Sequence, residues 1–122
     1  MLMNKLIMWR KTPEQTIYFG KSGGFTNLME KYAMKSDGAI YKIIDGEENE
    51  INRIKKSQLR KIDQKLDALN YQTISLDEVG NMTYFIEVKY DDSSHKLTWT
   101  DQADHPEIRE LYNDLTSTIL NL

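Results

Sequence analysis

Apolar positions recur along this chain with two periods. Ile17, Tyr18 and Phe19 mark a first strand over Thr16 to Lys21, and Ser22-Gly23-Gly24 is expected to break it, because adjacent glycines reach positive φ without steric cost. Phe25 to Lys35 resumes as a strand with Leu28, Tyr32 and Met34 on one parity. Ser36-Asp37-Gly38 then predicts a two-residue type I′ hairpin at Asp37-Gly38, with Ala39 to Asp45 as the partner strand. Gly46 to Glu50 is polar and acidic and reads as a solvated loop. Leu59, Ile62, Leu66 and Leu69 follow at spacings of three, four and three, the stripe of a helix, with Ser57 as its N-cap and Ile51 and Ile54 as a possible backward extension. Met82 to Tyr90 sets Tyr84, Ile86, Val88 and Tyr90 against Phe85, Glu87 and Lys89, a half-buried strand. Leu97 and Trp99 share a face of the strand His95 to Thr100. His105-Pro106 opens a last helix with Ile108, Leu111, Tyr112, Leu115 and Ile119 inward, since proline suits the first helical turn.

The order β-β-β-α-β-β-α with hairpin-length loops requires antiparallel neighbours. The expected fold is therefore α+β: a four- to five-stranded, mainly antiparallel sheet with two helices on one face. The core expected from these stripes is Leu59, Ile62, Leu66, Ile86, Val88, Leu97, Trp99, Leu111 and Leu115. At 122 residues the chain is read as one domain, with residues 1–15 as an arm or an added strand. Its apolar run, Leu6 to Trp9, is too short for a signal-peptide core or a membrane span, and the expected compartment is the cytoplasm.

Composition narrows the chemistry. There are no cysteines, which removes disulfides, thiolate metal sites and cysteine nucleophiles. Sixteen basic against nineteen acidic residues, a net charge of −3, give no basic excess for nucleic acid or anionic lipid. The segment Arg53 to Asp67 is locally basic and is expected to face solvent or the acidic last helix. His95 and His105 could ligate a metal only by converging with carboxylates such as Asp101 or Asp104; a cross-strand and a helix-entry role are the simpler reading. Ser22, His95 and Asp101 can be written as a triad, but no strand–turn–helix nucleophile elbow surrounds Ser22. The acidic pairs Asp77-Glu78 and Asp91-Asp92 lack calcium-loop spacing and read as solvated turns. Lys-Ser-Gly-Gly running into a strand inverts the order of a nucleotide-binding Walker loop. The expectation is a non-enzymatic protein with no cofactor and no metal.

One ordered set of motifs is more specific. Lys21-Ser22-Gly23-Gly24-Phe25, a central amphipathic helix, Gly80-Asn81-Met82-Thr83-Tyr84-Phe85 leading into Ile86-Glu87-Val88, and a helix carrying Pro106, Ile108, Leu111 and Leu115 occur in that order. This set resembles the emfourin family, small bacterial protein inhibitors of thermolysin-like zinc metalloproteases, together with its Bacteroidetes relatives. The resemblance spans about Ile17 to Leu120. Three departures stand out. Family members typically follow the tetrad with Ala-Gly, where this chain has Thr26-Asn27. The Phe-x-Leu-Pro at the end of the family's first helix is here Leu69-Asn70-Tyr71-Gln72, and the first fifteen residues are additional.

The resemblance implies a partner-binding loop at Ser22, Gly23, Gly24 and Phe25 that enters a protease cleft. Such a loop needs preorganisation by its scaffold, backbone that can approach another surface closely, and an apolar anchor, the part Phe25 would take. Read as fold elements instead, the glycines make a turn and Phe25 packs in the core.

Overall fold

The computed structural model describes residues 14–24, 27–91, 93–102 and 104–120, with residue 120 described by its backbone alone. Among the described residues six strands form one antiparallel sheet: β1 (Thr16–Gly23), β2 (Leu28–Met34), β3 (Ala39–Ile44), β4 (Glu47–Arg53), β5 (Met82–Lys89) and β6 (Ser94–Thr100). Helix α1 (Lys56–Leu69) and a single 3-10 turn (Tyr71–Thr73) join β4 to β5, and α2 (Pro106–Leu120) follows β6. The spatial order is β4-β3-β2-β1-β5-β6. The first four strands meander outward from β1, and β5 returns to the free side of β1. The fold is α+β, as expected, with one strand more than the sequence pattern supplies. The arm expected over residues 1–15 lies almost wholly outside the described residues.

That extra strand corrects the solvated loop expected at Gly46 to Glu50. The sequence offers two Asp-Gly pairs, and the second makes the tight hairpin. Asp45 and Gly46 both have positive φ, 52° and 82°, and Ile44 pairs directly with Glu47. Positive φ at both central residues is the signature of a type I′ turn, whose twist matches that of the flanking strands. The Asp37-Gly38 pair expected in that role sits in a three-residue loop instead. There the Gly38 amide donates to the Lys35 carbonyl at 3.0 Å, the Lys35 amide donates to Ala39 at 2.9 Å, and only Gly38, at 92°, has positive φ. The Asp37 carboxylate accepts the Ala39 amide at 3.0 Å; this bond, with Arg53 nearby, holds its pKa below the usual carboxylate value.

Ile51 and Asn52 show how β4 joins the core. The register slips by one residue between the pairs Tyr41–Glu50 and Ile40–Asn52, leaving Ile51 as the extra residue of a bulge. Ile51 packs against the core, and the Asn52 side-chain amide reaches the Thr118 carbonyl in α2 at 2.6 Å. Ile51 is thus a strand residue and not a backward extension of the helix, and Ile54 is buried in the connection. The helix begins at Lys56, one residue before the expected cap Ser57. Lys55 holds the cap position, its amide donating to the Gln58 side chain at 3.0 Å.

Both helices cover one face of the sheet. Ile17, Phe19, Met34, Ile40, Ile86, Val88, Leu97 and Trp99 form a single cluster with Ile62, Leu66, Ile108, Leu111 and Leu115. All the expected core residues are buried except Leu59, which is half-buried at the margin of the cluster. Tyr71 closes the far end: its hydroxyl lies 2.8 Å from the Ile86 carbonyl and 2.9 Å from the His95 carbonyl. The helix-free face is not wholly polar. Phe85 is only 6% exposed there, beneath the Lys96 ammonium and opposite Gly20, whose missing side chain lets the β2 backbone at Glu30 come close.

Candidate functional site

Ser22 and Gly23 end β1 beside the starts of β2 and β5, and Gly24 follows them. Ser22 does not break β1. It pairs with Met29 on one side and Thr83 on the other, and Gly23 pairs with Leu28 and Met82. Gly23 is required by both conformation and space, since its φ is 114° and a Cβ there would stand 2.1 Å from the Asn81 carbonyl oxygen. Gly24, at φ 84°, is the first residue of the β1–β2 loop. Its amide donates to the Asn81 carbonyl at 2.8 Å, and its carbonyl accepts the Asn27 amide at 3.2 Å. Among the described residues, a Cβ on Gly24 would meet only the Met82 methyl, at 3.4 Å. Phe25, expected as the anchor, lies outside the described residues.

Asn27 ends this loop at φ 59°. That left-handed conformation is open to glycine and tolerated by asparagine, whose short polar side chain can bond locally.

Neighbouring segments extend the same end of the sheet. The Glu78 amide donates to Thr98 and the Thr98 amide to Leu76, each at 3.1 Å, so residues 76–78 run along β6. The Asp77-Glu78 pair is thus tied into the sheet margin and is not a free turn, and Glu78 Oε2 faces His105 Nε2 at 3.2 Å. Thr83 Oγ1 accepts the Gly80 amide at 3.1 Å, and a Cβ on Gly80 would press on Thr100 at 2.9 Å. Met29, Ser22, Thr83 and Thr100 therefore form a row across four strands, about 14 Å long. Met29, at one end of this row, is 66% exposed, and Val79, next in the chain to Gly80, is 83% exposed.

The other candidates do not assemble. His95 pairs with Val88 at the far end of β6 from Thr100, and its Nε2 lies 2.6 Å from the Ile74 carbonyl. It is therefore remote from Ser22, Asp101 and His105. Among the described residues no group of three His, Asp or Glu side chains is placed to hold a metal ion. The locally basic α1 meets α2 through Lys65, which pairs with Asp114 and, at 3.7 Å, with Glu110. A groove of about 580 Å³ runs between the two helices, and this lysine reaches across it.

An aromatic cluster that the sequence pattern assigns only to the core adds a second feature. Tyr84 and Trp99 are cross-strand partners with ring centroids 6.0 Å apart and nearly parallel planes. Tyr112 of α2 meets both edge-on, at 5.5 and 5.4 Å. The Asp101 carboxylate hydrogen-bonds the Tyr84 hydroxyl and raises its pKa. Burial, with smaller contributions from Tyr84, Glu30 and Tyr32, raises that of Tyr112. Spacing alone could not mark this cleft, because Asp101, Arg109 and Asn113 join it only once α2 is laid against the end of β6. No family model matches the chain, and no curated protein matches it.

Proposed function

We propose that this chain is a non-enzymatic protein-binding domain that docks through the Ser22–Phe25 loop and the row beside it. The observation that carries the reading is the clamped glycine loop: Gly24 is tied to Asn81 and Asn27 is tied to Gly24, with exposed Met29 and Val79 alongside. A backbone held in place before contact lowers the ordering cost of association, and exposed apolar side chains supply surface to bury.

The partner class follows from the emfourin resemblance: a thermolysin-like zinc metalloprotease, with Phe25 as the anchor in its hydrophobic specificity pocket. Asn27 at positive φ is compatible with this assignment, because a glycine at that position would adopt the same left-handed conformation freely. The second reading is an interaction module on the same scaffold whose partner is not a protease. It is favoured by the breadth of the row, which extends beyond one inserted loop. Neither reading involves a nucleic acid, a cofactor or an enzymatic step by this chain. No helix among the described residues is long and apolar enough to cross a membrane, and the proposed compartment is the cytoplasm.

Residual activity of a panel of thermolysin-like proteases, measured with the chain at micromolar concentration, tests the assignment. Stoichiometric inhibition of at least one member, weakened in the Gly24→Val variant, is expected. Absence of inhibition across the panel overturns the protease reading and leaves the interaction module.

A further inference from the structure

Two cavities lie along one side of α1, at the end of the sheet where β1 begins. The first, about 180 Å³, is lined by Ile17, Met34 and Leu59 together with Gln15 and Asp63. The second, about 170 Å³, is lined by Leu66, Asp67 and Tyr71, and Tyr90 borders both. Leu59, Asp63 and Asp67, four residues apart, run down this side of the helix. From Leu59 to Asn70 it is about 16 Å long.

The sequence supplies an occupant beside the first cavity. Gln15, whose side-chain amide donates to Asp63 at 2.9 Å, is where the chain comes onto the helix. Before it stands the apolar run Leu6-Ile7-Met8-Trp9, followed by Arg10 and Lys11. The stretch from Trp9 to Gln15 spans at most about 20 Å, longer than the side of α1 that holds the cavities. Four consecutive apolar side chains need cover, and a cavity of about 150 Å³ accepts one aromatic ring. Trp9 is the member of the run nearest Gln15 and the one with most apolar surface to bury.

Charge points the same way. Gln15 is neutral, so its bond leaves the Asp63 charge uncancelled, and among the described residues neither Asp63 nor Asp67 has a cationic partner. Lys35, the one cation among the described residues lining either cavity, pairs with Glu48 at 3.1 Å. Arg10 and Lys11 bring two positive charges to these two carboxylates.

We infer that this side of α1 is the docking site for the chain's own residues 6–11, with Trp9 in the first cavity and Arg10 and Lys11 beside Asp63 and Asp67. The site lies at the opposite end of β1 from Gly23, so it stands apart from the loop reading.

The test is fluorine NMR of the full chain grown with fluorotryptophan, which labels Trp9 and Trp99. Trp99, only 2% exposed, is the internal standard for a folded, shielded indole. A neutral gadolinium chelate should broaden Trp9 less than half as much as it broadens free fluorotryptophan amide. Proton NOEs from the Trp9 ring to the Ile17, Met34 and Leu59 side chains should place it in the first cavity. The Asp63→Lys, Asp67→Lys variant should raise the broadening of Trp9 to the free value with Trp99 unmoved, and adding Arg10→Glu, Lys11→Glu should restore the protection. If the α1 variant disturbs Trp99, Arg10→Glu, Lys11→Glu alone, which leaves the helix intact, must give the same exposure. Trp9 as accessible as the free amide, protection without those NOEs, or protection indifferent to the charges overturns the inference. NOEs that arise only between copies, in a mixture of labelled and unlabelled chains, assign the site to a second copy and overturn self-docking.

Discussion

The Gly38 carbonyl accepts the Ile54 amide at 2.9 Å, and a Cβ on Gly38 would stand 2.6 Å from the Ile54 carbonyl oxygen. The β2–β3 loop is thereby fastened to the chain leaving β4. Gly38→Ala meets both a positive φ and backbone that must move, whereas Gly46→Ala meets a positive φ in open space. The second should cost about 1 kcal/mol, and the first clearly more. Urea denaturation of the two variants gives the order. Equal losses would mean that the Gly38–Ile54 approach is not tight in solution.

The same comparison separates the two glycines of the candidate loop. Gly23→Ala would place a methyl group 2.1 Å from the Asn81 oxygen and should cost more than about 2 kcal/mol. Gly24→Ala carries conformational strain of about 1 kcal/mol and little collision. It should fold, so a loss of partner affinity in that variant reports on binding. A Gly24 variant with full stability and full affinity would remove this residue from both roles.

Trimming Leu111, wholly buried beneath α2, to Ala should cost about 2–5 kcal/mol. Leu59→Ala, at the margin of the core, should cost under about 2 kcal/mol by the same measurement. Equal costs would contradict the placement of Leu59.

Alkaline pH should weaken the fold through two tyrosines. Burial, with Glu87 adding, raises the Tyr71 phenol; burial, with Tyr84 and Glu30 adding, raises Tyr112. A group with a raised folded pKa holds its proton longer in the native state. Its contribution is complete below the free-tyrosine value of about 10 and is lost as pH climbs from there through the folded pKa. The stability slope above pH 10 should approach about 1.4 kcal/mol per pH unit for each of them. Urea midpoints at pH 9, 10 and 11 measure it. The Tyr71→Phe, Tyr112→Phe double variant should flatten the slope, and an unchanged slope would place these phenols in water.

The helix stripes and the inner parity of β5 and β6 were legible because their apolar positions recur at a regular period. β4 was not, because Glu47-Glu48-Asn49-Glu50 has no apolar alternation; its strand comes from pairing with β3 across the Asp45-Gly46 turn. Choosing between two Asp-Gly pairs required knowing that Gly38 is also held by Ile54, a contact sixteen positions away. Phe85 reads as an outward strand position, yet it is buried there, with the Lys96 side chain over its ring. The glycine loop was visible as a motif, but its attachment to Asn81 depends on β5 returning to the free side of β1.

The rings on the helix-free face share one further property. Tyr18, Tyr41 and Phe85 each lie beneath a lysine ammonium, Lys31 at 4.8 Å, Lys35 at 5.6 Å and Lys96 at 5.0 Å from the ring centroids. These three amines set positive charge over apolar ring faces. Acylating them would remove that charge without touching the core, and faster sedimentation of the acylated chain is the expected sign that the bared rings then pair between copies; an unchanged sedimentation rate would show that the lysines do not guard this face.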